Sequence, residues 1–287
     1  MTKKIYILLP VHNRRAVTAT FVASLKAQTF RDYHLVLIDD GSTDGTAEMV
    51  AQAIPSTTVL RGTGGWWWAG SLQRGLEWLK QEQVSDDAVI LFINDDVQFD
   101  PDYLDRAAKV MPGKRGVLVL SKTRDANTGK ISETGVTADL RRLTFKVSDS
   151  AESINCLPTR GLFAHWGDVR KIGGFHPRLL PHYLSDYEYT MRAHKLGLKC
   201  ESSSALLIIS NEETTGYRKI EETGFRPALA KLLSKKAPSN PFYWSTFVVL
   251  AAPPRLILPG LLRVWAGAGK WFYRFSMNRF LPARKLG

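Results

Sequence analysis

The sequence predicts an α/β fold with a doubly wound, mostly parallel sheet and a helical C-terminal appendage. Two patterns carry the sheet. Short apolar runs alternate with helix-period segments over residues 5–101, and polar clusters follow directly on four of those runs. A third pattern carries the appendage. Eleven of the 39 Lys and Arg residues lie between Arg226 and Gly287, where there is no Asp or Glu.

Ile5–Leu9 is an apolar run that stops at Pro10 and reads as a first strand. Val17, Phe21 and Leu25 recur every four residues and mark an amphipathic helix ending near Gln28. Leu35–Ile38 is a second strand, and Asp44-Gly45 opens a helix through Met49 and Ala53. Thr58–Leu60 is a short strand, and Leu72, Leu76 and Leu79 mark the next helix. Ala88–Ile93 is the strongest buried-strand run, after which Asp100 caps a helix with Pro101 at its first position. Beyond it, Gly116–Leu120, Lys130–Val136, Leu143–Val147 and Gly161–Trp166 read as strands joined by turns. Asp186–Leu196 is helical and Ala205–Ile209 a further strand. Acidic Glu212–Glu222 leads into the tail, which divides the chain into a domain of residues 1–222 and C-terminal helices over 223–287.

The formal net charge of +12 is almost all in the tail, since residues 1–225 hold 28 basic and 27 acidic residues. A near-neutral body with a basic tail does not suit uniform coating of nucleic acid. At 44% hydrophobic and 23% charged residues the chain is globular in composition. Cys156 and Cys200 have no CxxC spacing, which argues against a zinc site or disulfide framework and suits a reducing cytosol. The apolar start is too short for a signal peptide and runs straight into His12-Asn13-Arg14-Arg15, so it reads as a buried strand.

In an open α/β sheet, ligands bind beyond the carboxyl ends of the strands. The residues there are Pro10, His12 and Asn13, then Asp39 to Gly45, then Gly62–Gly70 with Trp66, Trp67 and Trp68, and last Asn94, Asp95 and Asp96. Asp39-Asp40-Gly41-Ser42 alone fits a turn and helix cap equally well. Asp95 and Asp96 would repel each other at a buried edge, and Mg²⁺ or Mn²⁺ relieves this by taking one or two carboxylates plus phosphate oxygens. An exposed loop cap is the alternative. Gly62 and Gly64 begin a dinucleotide fingerprint, but Trp67 stands where the third glycine belongs and no P-loop is present, so a nicotinamide cofactor is disfavoured. At least one of the three tryptophans is expected on a pocket wall. A helix from Ser185 puts Asp186 in its first turn, near the positive end of the dipole, where a carboxylate stays ionised and can act as a base. It also pairs Glu188 with Arg192 at i,i+4. A cap plus a surface ion pair is the plainer reading of the same residues.

Together, Leu9-Pro-Val-His-Asn13, Ser24-Leu-Lys-Ala-Gln-Thr-Phe30, Val36-Leu-Ile-Asp-Asp-Gly-Ser-Thr-Asp-Gly45, Asn94-Asp-Asp96 and Ser185-Asp-Tyr-Glu188 with Arg192 resemble the family-two inverting glycosyltransferases. The resemblance covers roughly residues 4–217 and implies the GT-A fold, a Rossmann-like sheet. The Gly-Gly-Trp-Trp-Trp-Ala-Gly and Pro-His-Tyr-Leu-Ser-Asp-Tyr-Glu segments are most similar to a bacterial rhamnosyltransferase-like, polysaccharide-assembling branch. The resemblance implies that Pro10, His12, Asn13, Asp39, Asp40, Gly65, Trp68 and Asp95 border the nucleotide sugar, with His12 in place of the commoner Tyr. It implies Asp96 and Asp95 as ligands of Mn²⁺ or Mg²⁺ and Asp186 as the catalytic base, with Ser185 where the family more often has Glu. Tyr183, Glu188 and Arg192 are expected at the acceptor.

A membrane-spanning helix needs about 20 predominantly apolar residues. The longest uncharged run, Ala237–Pro254, starts with helix-breaking Pro238-Ser239-Asn240-Pro241, and Pro253, Pro254, Arg255, Pro259 and Gly260 interrupt the next stretch. The tail instead interleaves eleven cations with ten aromatics, the residues of bilayer interfaces and anionic headgroups. Phe247–Ala252 and Leu256–Leu262 are too apolar for a groove on single-stranded nucleic acid. Interfacial helices are expected, against the alternatives of an oligomer interface or helices packed back on the body.

The function expected is transfer of a sugar from a nucleotide-diphosphate donor to a lipid-linked saccharide, with inversion, in surface polysaccharide or O-antigen assembly. The enzyme would be peripheral to the cytoplasmic face of the bacterial inner membrane, with no nucleic-acid partner and with oligomerisation left open. A non-catalytic nucleotide-sugar-binding or membrane-scaffold protein of the same fold is the alternative.

Overall fold

The computed structural model describes residues 4–210, 225–235 and 237–280. It begins with β1 (Ile5–Val11), α1 (Arg15–Lys26), β2 (Tyr33–Asp39), α2 (Thr46–Ala53), β3 (Thr57–Arg61), α3 (Trp67–Gln81) and β4 (Val89–Phe92). Next come β5 (Val97–Gln98), α4 (Tyr103–Val110), β6 (Val117–Asp125), β7 (Ile131–Glu133), β8 (Gly135–Asp139), β9 (Thr144–Ser148) and β10 (Leu162–His165). The chain continues through α5 (Trp166–Ile172), α6 (Ser185–Lys195), β11 (Lys199–Ser210), α7 (Phe225–Leu232), α8 (Pro241–Ala251) and α9 (Pro254–Phe280).

The main sheet has the order β3-β2-β1-β4-β10-β6-β11-β5, with β7 on β6, while β8 and β9 pair apart. From β3 to β4 every pairing is parallel. β2 lies on one side of β1 and β4 on the other, so the winding reverses at β1 and opens a crevice at the strands' carboxyl ends. β10 then runs antiparallel between β4 and β6, which makes the sheet mixed beyond its parallel half. Side chains alternate along the strands, so both faces need cover. Ile5, Ile7, Leu35 and Leu37 pack with Phe21 of α1, Val50 of α2 and Leu104 of α4. Leu8, Val36 and Ile38 point the other way, to Leu72 of α3, Val169 of α5 and Tyr189 of α6.

Several elements differ from expectation for local reasons. β1 runs two residues past its predicted end, through Pro10. The Leu8 carbonyl accepts from Ile93 on the β4 side, and pairing with β4 ends at Leu8. By alternation Pro10 also faces that side, so its missing N–H leaves no ladder bond unmade. The helix expected at Pro101 starts at Tyr103, because the Tyr103 N–H closes a turn on the Asp100 carbonyl. The Asp100 carboxylate goes to Arg106 at 2.9 Å instead of to a cap. The run over Lys130–Val136 divides between two sheets, as β7 on β6 and β8 on β9. β6 and β11 outrun their apolar cores because the polar half of each strand pairs with the apolar half of the other, with Val117–Leu120 beside Lys199–Ser202 and Lys122–Arg124 beside Leu207–Ile209. α5 is not expected, since Trp166 closes an apolar run that reads as strand; five of its seven residues are buried and only Arg170 and Lys171 are exposed.

In the tail, α8 packs back on the body, with Phe247 and Ala251 in one apolar cluster with Val136, Cys156, Leu184 and Met191. That cluster spans the expected domain division. α9 is continuous through Pro259 and Gly260, against the expected interruption. Pro259 withholds one N–H from the helix, and Gly260 admits α8, since a Cβ there would lie 2.7 Å from Val248 Cγ1. Among the described residues no helix is long and apolar enough to cross a membrane. The acidic stretch Glu212–Glu222, the division at 222/223, Lys236 and the tail's end with Arg284 and Lys285 lie outside the described residues.

Candidate active site

β1, β2 and β3 end on loops that enter helices, while β4 runs through Asn94–Asp96 into β5, and the turns of the site use constrained backbone. Among the described residues five non-glycine positions have positive φ, and three of them lie here: Asn13 before α1, Trp67 at the start of α3 and Leu184 before α6. Such conformations persist only where neighbours hold them, and they gather at functional sites.

The β2 loop supplies the holding groups. Asp40 is buried, and one carboxylate oxygen accepts the Gly64 N–H at 2.9 Å. The other accepts Trp66 and Trp67 N–H at 2.8 and 3.0 Å. Asp40 therefore caps α3 and fixes the glycine–tryptophan loop. Gly62 must be glycine there, because a Cβ would lie 2.7 Å from Asp40 Oδ1 and 2.8 Å from the Trp66 ring. Asp39 accepts the Ser42 N–H at 2.9 Å and faces Arg61 at 3.8 Å. His12 Nδ1 donates to the Asp40 carbonyl at 2.7 Å, which leaves Nε2 as an acceptor toward Asn13 Nδ2 at 3.4 Å. Asn13 donates its N–H to Ser42 Oγ at 2.9 Å and accepts the Thr43 N–H at 2.8 Å. The structure thus brings Pro10, His12, Asn13, Asp39 and Asp40 together, with both carboxylates engaged by backbone. Gly65 stands open, with nothing within 4 Å of an added Cβ. Trp66 and Trp68 pack toward the core under the sheet. Trp67 instead meets the His182 ring edge-on at 6.0 Å, with Lys235 Nζ 5.6 Å from its centroid.

At the end of β4, Asp95 and Asp96 are met by Arg14 from the first loop. Arg14 Nε donates to Asp95 Oδ2 at 3.0 Å, and Arg14 Nη2 lies 3.5 Å from Asp96 Oδ2. Thr18 Oγ1 donates to the same Asp95 oxygen at 2.9 Å. Burial pushes the Asp95 carboxyl up to about 6, against the pull of Arg14 and Thr18. Asp96 Oδ1 and Asn94 Oδ1 are buried with no hydrogen-bond partner. Buried acceptors are rarely left so, and two orphaned oxygens beside a carboxylate fit a hard divalent cation, which would draw its other ligands from phosphate and water. Among the described residues no three His, Cys, Asp or Glu converge as a metal cage.

The α6 end closes the site. Ala69 N–H bonds the Pro181 carbonyl at 3.0 Å, which ties the loop before α6 to the start of α3. Ser185, the departure from the family pattern, donates from Oγ to the His182 carbonyl at 2.6 Å and so fixes the turn that aims Asp186. Asp186 Oδ1 accepts the Tyr187 N–H at 2.9 Å. Burial raises its carboxyl to about 6, with nearby Glu133 adding to the rise and Arg160 opposing it. Arg160 lies 3.5 Å from Glu133 and 3.3 Å from Ser210 Oγ, and the next residue, Gly161, bonds the Phe92 carbonyl at the end of β4. Asp186, the expected base, is thus linked through the Arg160–Gly161 segment to the end of β4, from which the chain runs on to Asp95 and Asp96. Tyr183 packs its ring on His182 at 4.6 Å.

Glu188 and Arg192, expected at the acceptor, form an internal brace. Arg192 Nε and Nη2 hold both Glu188 oxygens at 2.9 and 3.0 Å, and Nη2 also donates to the Gly174 carbonyl at 2.8 Å. Glu188 is 3% exposed. The pair locks α6 to the segment after α5 and leaves no free group for a ligand. Sequence reasoning passed over Arg14, Thr18, Glu133 and Arg160. Arg14 had a signal, as a cation one residue past His12-Asn13 at a strand end. The others come from the interior of α1, the end of β7 and the turn before β10, which only tertiary pairing brings near the site.

A catalytic domain of this shape has known counterparts. S. aureus TarS 1–349 in complex with UDP-GlcNAc superposes with a TM-score of 0.59 at 16% identity, over 88% of this chain and 82% of that one. Of the longer TarS chain, this chain spans half the length. GalNAc-T7 with UDP, GalNAc and Mn²⁺ gives 0.61 at 14% identity, over 97% and 58%. Mannosyltransferase PcManGT from Pyrobaculum calidifontis, in complex with GDP-Man and Mn²⁺, gives 0.57 at 16%, over 94% and 76%. These likenesses show the GT-A fold. No protein of curated function matches in sequence. The model of glycosyl transferase family 2 matches residues 6–156, just over half the chain and the span from β1 through the Asp95–Asp96 edge. The chain therefore belongs to glycosyl transferase family 2.

Proposed function

We propose that this glycosyltransferase is metal-dependent and inverting, and moves a hexosyl or rhamnosyl unit from a nucleotide-diphosphate sugar to a hydroxyl of a lipid-linked saccharide. It would act at the cytoplasmic face of a bacterial inner membrane in surface polysaccharide assembly, such as that of lipopolysaccharide O-antigen. The observation that carries the reading is the pair of buried, unpartnered oxygens of Asp96 and Asn94 just past the end of β4, the strand end to which the Arg160–Gly161 segment beside Asp186 is bonded. The donors and Mn²⁺ bound by the structural neighbours support the donor class and a metal.

Asp96, with Asp95, would hold Mn²⁺ or Mg²⁺, and a divalent ion there supplies positive charge to the departing diphosphate. The rest falls to the chain. His12, Asn13 and the glycine–tryptophan loop, set by Asp40, border the donor. Asp186 accepts the acceptor hydroxyl's proton as that oxygen bonds to the anomeric carbon. The bond from that carbon to the diphosphate oxygen breaks on the opposite face, its electrons leave with the nucleotide, and the configuration inverts. Val249, Leu258, Leu262, Trp265 and Tyr273 expose large apolar side chains on α8 and α9, interleaved with Arg255, Arg263 and Lys270, and suit an anionic membrane surface.

A thermal-shift screen of UDP, GDP and dTDP sugars with Mn²⁺ and Mg²⁺, followed by donor hydrolysis, tests this reading. One donor should stabilise the wild type only with metal, and Asp96→Ala should weaken that binding at least about tenfold, the scale of a lost ligand or its support. Metal-independent donor binding unchanged in Asp96→Ala would remove Asp96 from the metal site.

A further inference from the structure

A cavity of about 730 Å³ lies away from the strand-end site, between the last turn of α6, the end of β8 and the first turn of α9. Its rim carries Arg141, His194, Lys195 and Arg255, and its lining includes the apolar side chains of Met191 and Leu256. One carboxylate, Asp139, also lines it, but this group is engaged: it accepts Arg141 and Arg142 N–H at 2.8 and 3.1 Å. Three cations and a histidine line the cavity against this single carboxylate, and a bound anion would offset the excess positive charge. Burial lowers the pKa of Lys195, with Glu188 opposing, and its Nζ donates to the Leu250 carbonyl of α8 at 3.5 Å.

The cavity is also built by the tail. Arg255 and Leu256 belong to α9, and Arg263 Nη1 donates to the Arg141 carbonyl at 2.8 Å, which clamps α9 to the opposite wall. From Leu256 the same helix continues to exposed Leu258, Leu262 and Trp265, and Trp265 meets Phe242 of α8 edge-on at 5.4 Å. The cavity thus combines basic and apolar lining residues, and exposed apolar side chains follow farther along the same helix. These match the two parts of an anionic lipid, its phosphate and its chains.

We propose that this cavity binds the phosphate of a membrane lipid, where the tail meets the body. The proposal rests on the membrane reading of the tail, and its test separates the two. The full chain is titrated with dihexanoyl phosphatidic acid below its micelle concentration, with inorganic phosphate, and with phosphatidylcholine vesicles with and without phosphatidic acid. The wild type should bind the short-chain lipid and prefer the anionic vesicles. Lys195→Glu/Arg255→Glu should weaken both by about tenfold or more, as expected for cations at a lipid headgroup, with nucleotide-sugar thermal shifts unchanged as the check on folding. Equal affinity for inorganic phosphate would make the site a free-phosphate site and overturn the lipid assignment. Short-chain lipid binding that is absent, or untouched by the double variant, would overturn the cavity. Vesicle binding that survives this variant but fails in Leu258→Glu/Leu262→Glu would overturn it too, and would leave the membrane reading standing. Short-chain binding without vesicle binding would sink the membrane reading alone.

Discussion

Replacing Asp186 with Asn should stop the enzyme and stabilise it at once. Burial raises the Asp186 carboxyl from 3.8 to about 6, so the folded chain binds that proton more tightly than the unfolded chain does. Ionisation therefore works against folding. The penalty is fully present above pH 6, shrinks as the pH falls through 6, and is gone below 3.8. At about 1.4 kcal/mol per pH unit, it reaches about 3 kcal/mol at neutral pH, a ceiling because the side chain keeps some contact with water. Asn removes the charge and keeps an oxygen for the Tyr187 N–H that Asp186 now accepts. The variant should then melt on the order of 5–10 °C higher at pH 8 and equal to wild type near pH 4.

Turnover should respond in the opposite sense. Asp186→Asn should cut transfer by at least about 10²-fold with donor binding retained. In the wild type, the rate should fall about tenfold per unit below pH 6, where the base is protonated. Paired melts at pH 4 and 8, with a pH–rate profile, decide the matter. A variant that is destabilised at both pH values, or a wild-type rate flat down to pH 4.5, would refute the buried-base reasoning.

Glu188→Ala should cost about 3–5 kcal/mol, because it strands the Arg192 guanidinium in the brace. Acceptor KM in the surviving fraction should be unchanged, and a selective rise in KM would return Glu188 to the acceptor. Gly62→Ala should destabilise by about 1–3 kcal/mol, the usual range for overpacking, and weaken donor affinity by displacing Asp40 and the Trp66 ring, as calorimetry would read. Leu258→Glu/Leu262→Glu should abolish flotation with anionic liposomes while leaving Tm unchanged, since both side chains are exposed. Truncation near Arg226 is a poor substitute, because it also strips Phe247 and Ala251 from the body's core.

The parallel half of the fold was legible because its strands are buried on both faces and read as unbroken apolar runs, such as Leu35–Ile38 and Val89–Phe92. The polar residues after those runs were legible for the same reason, as each sits where a buried strand must end. Legibility failed where pairing, not periodicity, makes the structure. Ser121 and Ser203 lie just outside the apolar runs of β6 and β11, in lengths of strand that only the pairing of the two strands adds. Gly260 reads as a break and serves as a contact, because Val248 of α8 occupies the space of its missing side chain. The helical register put Glu188 and Arg192 on one face correctly, but which way that face turns depends on the Gly174 carbonyl, eighteen residues away from Arg192 in sequence.

The twin aspartates show most clearly what the three dimensions add. From sequence, two adjacent carboxylates at a buried edge argue for a cation through their repulsion. In the fold, Arg14 already provides positive charge, 3.0 Å from Asp95 and 3.5 Å from Asp96. Repulsion alone therefore no longer requires a metal. What calls for one is the difference between the two groups. Asp95 has an oxygen satisfied twice over, by Arg14 and Thr18. Asp96 keeps a buried oxygen with no partner, as does Asn94 two residues before it. A charged donor already on one carboxylate and an open acceptor on the other is the division expected if Asp95 orients the edge and Asp96 meets the ion. Unpartnered buried oxygens, rather than the charge of the pair, are thus what a metal would satisfy, and of the two carboxylates it is Asp96, not Asp95, that carries one.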